Sequence, residues 1–141
     1  MPESVPVRGF HTSASTARIL SAAGGPLLAG ASDTGGRFTL IQTTIPPGDS
    51  TPLHCHTSMD ESFYVFSGSF RVTCGEDVFH ASPGDFVHLP RGIPHKYVAE
   101  PGGGQMLILA TPGGLEGFFD DWESGMVPEE LAHKYNIEFL D

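Results

Sequence analysis

The feature that most constrains this 141-residue chain is a group of three metal-binding side chains within eight residues. His54 and His56 would point the same way in a β-strand, because alternate side chains of a strand share a face. Glu61 is an odd number of residues beyond His56, so an unbroken strand would turn it to the opposite face. The turn-prone residues 57–60 are expected to form a loop that resets this alternation. The spacing therefore predicts that two histidines from one strand and a carboxylate from the next meet at one point.

A fourth candidate ligand, His95, follows a second group of turn signals. Gly84-Asp85 predicts a turn, residues 86–89 a short strand, and residues 90–94 a tight turn that contains two prolines. His95 then begins another strand. A rigid turn immediately before His95 would fix the position of its side chain.

These two segments resemble the two sequence motifs of the cupin family. The first motif, G-(x)5-H-x-H-(x)4-E-(x)6-G, is matched at every fixed position, by Gly48, His54, His56, Glu61 and Gly68. The second motif, G-(x)5-P-x-G-(x)2-H-(x)3-N, is matched by Gly84, Pro90, Gly92 and His95, with Ala99 in place of its Asn. In the family that Asn is not a metal ligand. The resemblance therefore implies an intact metal site made of His54, His56, Glu61 and His95.

The rest of the chain predicts an all-β fold. The 18 glycines and 12 prolines suit many turns between short strands. The clearest strand covers residues 37–45, residues 69–74 and 77–81 form a hairpin, and residues 105–111 are apolar on both faces, which predicts burial on both sides. Residues 101–104 are expected to be a flexible connection. Such a pattern indicates a sandwich or barrel, and the resemblance implies the cupin double-stranded β-helix, a jelly-roll barrel.

After Pro112 the pattern becomes helical. An apolar stripe at i, i+3, i+4 and i+7 predicts an amphipathic helix, formed by Leu115, Phe118, Phe119 and Trp122. Pro128 opens a second helix, so we expect one domain with a barrel over residues 1–111, N-terminal strands included, and a short C-terminal helical segment over residues 112–141. These helices either only cover the barrel or close its mouth with the aromatic stripe. The run TPGGLEGFFDDW resembles a segment of small bacterial cupins of the quercetinase-like (flavonol dioxygenase-like) subgroup.

Three imidazoles and one carboxylate suit one divalent transition metal: Ni, Fe, Mn, Co, Cu or Zn. A catalytic or ligand-binding metal is favoured over a structural one, because a barrel is held by its own core and structural zinc sites usually contain thiolates. The first hypothesis is a metal-dependent dioxygenase that uses O2 to cleave a flavonol-like or other enolisable phenolic substrate. The resemblance makes Glu61 both a ligand and the base that takes the substrate proton. Apolar walls for a small, aromatic substrate are expected from Phe63, Val65, Phe86, Phe118, Phe119 and Trp122, and His88 is a weaker candidate for contacting it.

Two other hypotheses stay open. A non-oxidative metal-dependent cupin would act as an isomerase, cyclase, dehydratase or decarboxylase of a biosynthetic pathway. A non-enzymatic cupin would only bind a small molecule. Oxygen consumption separates the dioxygenase from the other two, and turnover without oxygen separates the second hypothesis from the third.

Composition excludes several kinds of partner. A net charge of −10 makes nucleic acid and anionic membranes unfavourable partners. The first residues lack the basic and apolar regions of a signal peptide, and no apolar run reaches membrane-spanning length, so a cytoplasmic protein is expected. Cys55 and Cys74 are expected to be buried, reduced thiols. The resemblance also implies a homodimer that pairs through its sheets.

Overall fold

The computed structural model describes residues 7–141 of the chain. Residues 1–6, the start of the predicted barrel segment, lie outside the described residues. The described elements comprise strands β1 to β9, helices α1 to α3 and one 3-10 turn. The strands are Ile19–Leu20, Gly25–Ala29, Thr39–Ile45, His54–His56, Asp60–Cys74, Asp77–Ala81, Phe86–Leu89, His95–Thr111 and Ile137–Phe139; the helices are Ala31–Thr34, Leu115–Glu123 and Pro128–Tyr135, and the 3-10 turn is Ser21–Ala23.

The strands pair antiparallel, and the long strands β5 and β8 form the centre of the fold. β8 pairs with β5 along most of its length, with β3 through its second half and with β4 at His95. On its other edge β5 pairs with β6 and β7. The predicted all-β jelly roll with a short C-terminal helical segment is therefore confirmed, and the predicted hairpin turns between Cys74 and Asp77.

The prediction of a flexible connection at residues 101–104 is wrong, because this run lies within β8. Gly103 in this run, and Gly68 opposite it on β5, allow neighbouring backbones to approach closely. A Cβ on Gly68 would lie 2.0 Å from the carbonyl oxygen of Gly103, and a Cβ on Gly103 would lie 2.5 Å from that of Ile45. Both glycines also have a φ of 69°, in the left-handed region. The glycine-rich run that predicts a loop is therefore part of a strand, where a glycine is needed because neighbouring strands approach closely.

The core lies between the inward faces of the strands. Phe63, Val65 and Phe70 on β5 are almost completely buried, as is Ile41 on β3. The two thiols, Cys55 and Cys74, are buried and free, as predicted.

The second half of β8 departs from the prediction of burial on both sides. Met106, Ile108 and Ala110 are buried, but Leu107 and Leu109 on the opposite face are only half-buried.

The C-terminal segment returns to the barrel. α2 buries Leu115 and Phe118, and α3 begins at Pro128 and ends where Asn136 takes a φ of 55°. β9 then pairs antiparallel with β4, so that Phe139 lies opposite His54. The C-terminal strand therefore lies beside the strand that carries two candidate metal ligands. Across residues 7–141, every helix is too short or too polar to cross a membrane.

Candidate metal centre

The four predicted ligands meet at one point in the fold. One ligand atom from each of His54, His56, Glu61 and His95 lies within 4.8 Å of the other three. His54 is opposite His95 where β4 pairs with the start of β8, and Glu61 is the second residue of β5. The break in alternation between His56 and Glu61 lies in the residues between β4 and β5, as the spacing predicts.

Three of these side chains are deeply buried. His56 is 4%, Glu61 6% and His95 2% exposed, whereas His54 is half-buried. Glu61 Oε1 lies 3.4 Å from His56 Nε2 and 3.2 Å from His95 Nε2.

Three ring nitrogens of the buried imidazoles have no hydrogen-bond partner among the described residues. Among residues 7–141, no group forms a well-aligned hydrogen bond with His56 Nδ1 or with either ring nitrogen of His95. The 3.2 Å approach of His95 to Glu61 is therefore close but poorly aligned for a hydrogen bond. Buried polar atoms ordinarily have partners, and leaving them without one is costly. A cation between the four side chains would take one ring nitrogen of each histidine and would give His95 Nε2, which faces Glu61, the partner that it lacks. The residues therefore fit a metal ion.

Hydrogen bonding and burial keep the ligands in metal-binding forms. His54 Nδ1 donates to the carbonyl oxygen of Pro52 at 2.8 Å, which leaves Nε2 with a free lone pair. Burial outweighs this contact and lowers the pKa of His54 to about 4. Burial raises the pKa of Glu61, but His56 and His95 beside it lower it more, so the net shift is well below the ordinary value. At neutral pH the site therefore offers a neutral His54 and an ionised Glu61.

The donor set limits the metals that the site could hold. Three imidazole nitrogens and one carboxylate oxygen suit Mn, Fe, Co, Ni, Cu and Zn, whereas Mg and Ca prefer oxygen ligands throughout. Both cysteines are protonated thiols, since burial raises the pKa of Cys55 and Cys74. Neither belongs to the ligand cluster.

A cavity of about 390 Å³ opens beside the four ligands. This volume lies within the roughly 300–1,000 Å³ typical of small-molecule sites. His54 and His56 form part of its lining, and α2 and β9 supply an apolar wall. The residues of that wall are Phe118, Trp122, Ile137 and Phe139.

Five of the predicted pocket residues fall into three groups. Phe118 and Trp122 line the cavity, with their ring centroids 5.7 Å apart. Phe63 and Val65 share the inward face of β5 with Glu61 but lie in the core, 2% and 1% exposed. Phe119 is half-buried and packs against the core, outside the cavity lining.

The prediction that Phe86 and His88 face the pocket is wrong. Phe86 is 66% exposed, and the exposed His88 contacts Ser62 Oγ through Nδ1 at 2.9 Å on the outer face of the sheet. The inward residues of β7 are Val87 and Leu89. Apolar residues occupy both faces of this four-residue strand, so its alternation could not identify the inner face.

Several cavity residues were not predicted. Tyr97 lies two residues after His95 on β8, so strand alternation alone could have placed it on the same face as this ligand. Burial raises the pKa of Tyr97, with further contributions from Glu61 and Asp49, so its hydroxyl stays protonated. Asp49 also lines the cavity and is exposed to solvent, so it lies at the cavity rim. The sequence gives no signal for Asp49 or for the wall from β9, because both depend on tertiary contacts.

Comparison with known proteins identifies the family. The family model described as "Cupin domain" matches residues 41–111, half of the chain. Quercetin 2,3-dioxygenase from Bacillus subtilis is 30% identical over 125 residues, which cover 82% of this chain. The chain spans only 37% of that enzyme's own length.

Solved structures have the same fold. The polyketide cyclase RemF from Streptomyces resistomycificus has a TM-score of 0.54 and 29% identity, covering 62% of each chain. Oxalate decarboxylase from Bacillus subtilis has a TM-score of 0.66 and 22% identity over 96% of this chain and 39% of the other. Together with the family match and the four-ligand cluster, these results show that the chain belongs to the cupin family.

Proposed function

We propose that this chain is a metal-dependent dioxygenase that cleaves a flavonol-like or other enolisable phenolic substrate. One observation carries the proposal: His54 and His56 of the four-ligand cluster line a cavity of about 390 Å³ with an aromatic wall. The similarity to quercetin 2,3-dioxygenase over most of the chain supports it.

In this proposal His54, His56, Glu61 and His95 hold one divalent transition metal: Ni, Fe, Mn, Co, Cu or Zn. The ion would polarise a substrate hydroxyl and lower its pKa. Glu61 is ionised at neutral pH and faces the same point as the imidazoles, so its carboxylate is the nearest acceptor for the hydroxyl proton. Loss of that proton gives an electron-rich enolate, the form of such a substrate that reacts with O2.

In this proposal the aromatic wall orients the substrate. Phe118 and Trp122 from α2 meet edge to face, and Phe139 from β9 lies 6.4 Å from the His54 ring, measured between centroids. Aromatic faces and edges of this kind suit a flat, apolar ligand. Their position supports the hypothesis that the C-terminal segment closes the barrel mouth and contacts the substrate.

Oxygen uptake tests the proposal. Protein loaded separately with Mn, Fe, Co, Ni and Cu is supplied with flavonols and other enolisable phenols, and uptake is expected with at least one metal. Glu61→Gln should reduce uptake at least 100-fold, as loss of a general base typically does, while metal content falls less. The matched control is Glu138→Gln, which changes an exposed carboxylate on the neighbouring β9 and should keep full activity. No uptake from fully metallated wild-type protein would refute the proposal.

A second candidate is a non-oxidative metal-dependent enzyme, as an isomerase, cyclase, dehydratase or decarboxylase. The 29% identity with a polyketide cyclase favours this alternative. Turnover of an enolisable substrate under nitrogen would support it over the dioxygenase.

A homodimer belongs to the same proposal. On the outer face of β3, β8, β5 and β7, Tyr64, Phe66 and Phe86 are 44%, 37% and 66% exposed beside the half-buried Leu107 and Leu109. This face has no Asp, Glu, Lys or Arg at the outward positions within residues 40–42, 62–66, 86–88 and 107–109. In a chain of charge −10, an uncharged apolar face is the surface on which two copies repel least.

Light scattering tests the homodimer. At micromolar concentration the wild-type protein should have the mass of two chains, and Phe86→Arg should reduce it to one. Val127→Arg, which changes an exposed apolar residue immediately before α3, is the control and should leave the dimer intact. A wild-type mass of one chain would contradict this part of the proposal.

The proposed division into a barrel over residues 1–111 and a C-terminal segment over residues 112–141 follows the functional roles above. The barrel supplies the four ligands, and the C-terminal segment supplies the aromatic wall. The cytoplasmic location stays a prediction from the sequence.

A further inference from the structure

The cavity lining includes a tyrosine, Tyr97, whose hydroxyl forms no hydrogen bond with any described residue. Tyr97 lines the cavity and lies two residues after His95, on the same face of β8. Its ring is held edge to face by Phe63 at 5.6 Å and Phe70 at 6.0 Å, measured between centroids. Neither phenylalanine has a polar atom, so neither can accept a hydrogen bond from the hydroxyl.

The Tyr97 backbone is fixed as well as its ring. Its N–H donates to Thr51 Oγ1 at 3.1 Å, and its carbonyl accepts from the Thr51 N–H at 3.1 Å. Within residues 7–141, no side chain or backbone group hydrogen bonds to the Tyr97 hydroxyl. The fully buried polar atoms without a partner do not include this hydroxyl, so it is accessible and can meet a ligand in the cavity that Tyr97 lines.

A second unused polar group lies at the rim of the same cavity. Asp49 is held by its backbone, whose N–H donates to the Pro46 carbonyl at 3.1 Å and whose carbonyl accepts from the Ala99 N–H at 2.8 Å. Its carboxylate makes no hydrogen bond or ion pair with any described group. The described residues that line the cavity include no lysine and no arginine.

We infer that the cavity selects an uncharged, hydroxyl-bearing aromatic molecule, to which the Tyr97 hydroxyl donates a hydrogen bond and from which the Asp49 carboxylate accepts one. The inference rests on the proposed function only in taking this cavity as the substrate site. A donor at one end and a negative acceptor at the rim match a molecule with both a carbonyl oxygen and a phenolic hydroxyl. An anionic substituent at the rim would meet the Asp49 charge with no lysine or arginine of the cavity lining to compensate for it.

The single tryptophan of the chain provides a direct binding signal, because Trp122 lines the cavity. Zinc-loaded protein is titrated without oxygen, and quenching of Trp122 fluorescence gives the dissociation constant. The probes are 3,4′-dihydroxyflavone and the matched 4′-carboxy-3-hydroxyflavone, which differ only in the group at one end. Zinc does not change its oxidation state, so binding is measured without turnover.

The variants are Tyr97→Phe and Asp49→Asn, with Tyr64→Phe on the outer face and Asp77→Asn in the β5–β6 turn as matched controls. Tyr97→Phe keeps the ring contacts and should weaken the binding of the dihydroxyflavone about five- to tenfold, the value of one hydrogen bond. Asp49→Asn should reduce the preference for the hydroxyl over the carboxylate probe by about tenfold or more. A purely structural role would not change that preference, and the two controls should bind as the wild-type protein does.

Each outcome decides the inference. Equal dissociation constants for Tyr97→Phe and Tyr64→Phe, an unchanged preference in Asp49→Asn, or no quenching of the wild-type protein would overturn it. Binding that changes as expected in a protein that consumes no oxygen would support the inference while refuting the dioxygenase. Oxygen uptake together with unchanged binding in both variants would support the dioxygenase and refute the inference about Tyr97 and Asp49.

Discussion

The metal-free protein should lose stability as the pH falls from about 6.5 towards 4, because folding keeps His54 neutral. Burial lowers the pKa of His54 from 6.5 to about 4, so the unfolded chain binds more protons than the folded one in this range. Each pKa unit corresponds to about 1.4 kcal/mol, which gives a total of about 3 kcal/mol. About 2 kcal/mol of this should be lost between pH 7 and pH 4.5. The lowered pKa of Glu61 acts at lower pH, since its contribution is lost only below the ordinary glutamate value.

Urea unfolding of chelator-treated protein at a series of pH values measures this effect. In His54→Gln the free energy of unfolding should depend less on pH between 4.5 and 7, by about 2 kcal/mol. His133→Gln changes an exposed histidine of α3 and should keep the wild-type dependence. If the free energy of unfolding had the same pH dependence in the wild-type protein and in His54→Gln, the reasoning would be refuted. That result would mean that folding does not lower the pKa of His54.

Further predictions concern packing, each measured by thermal or urea unfolding. Gly68→Ala should destabilise the fold by at least about 2 kcal/mol, because its Cβ would lie 2.0 Å from a backbone oxygen, whereas Gly36→Ala, also at positive φ but in open space, should cost about 1 kcal/mol. Equal costs would contradict the close approach of strands. Phe118→Ala should cost about 3 kcal/mol, since three aromatic rings pack against Phe118; a loss below 1 kcal/mol would mean that α2 is not anchored there. Tyr135→Phe should cost about 1 kcal/mol through the lost hydrogen bond to Asp121, and no change would show that this contact does not join α2 to α3.

The metal ligands could be predicted because local spacing determines them. The two-residue separation of His54 and His56 fixes their common face in any strand, and the residues before Glu61 are turn-prone. The turn before His95 similarly fixes where β8 begins. Local signals also predict the two C-terminal helices. The apolar stripe indicates α2, and Pro128 and Asn136 mark the two ends of α3.

The cavity could be predicted only in part, because its walls come from segments far apart in the chain. Alternation divides β7 into two faces, but Phe86 and Val87 are both apolar, and the sequence does not say which one faces inward. The glycines at residues 101–104 have the composition of a loop, and only the neighbouring strands show why they are needed within β8. The pairing of β9 with β4 depends on tertiary contacts, so the place of Phe139 beside His54 had no local signal.

Metal content tests the central claim most directly, namely that His54, His56, Glu61 and His95 form one metal site. Elemental analysis after loading and removal of excess metal should give about one divalent ion per wild-type chain, with a large loss in His56→Ala and His95→Ala. His133→Ala should retain the wild-type content. Circular dichroism would verify that each variant is folded. Full occupancy in the folded His56→Ala and His95→Ala proteins would contradict the ligand set and the function built on it.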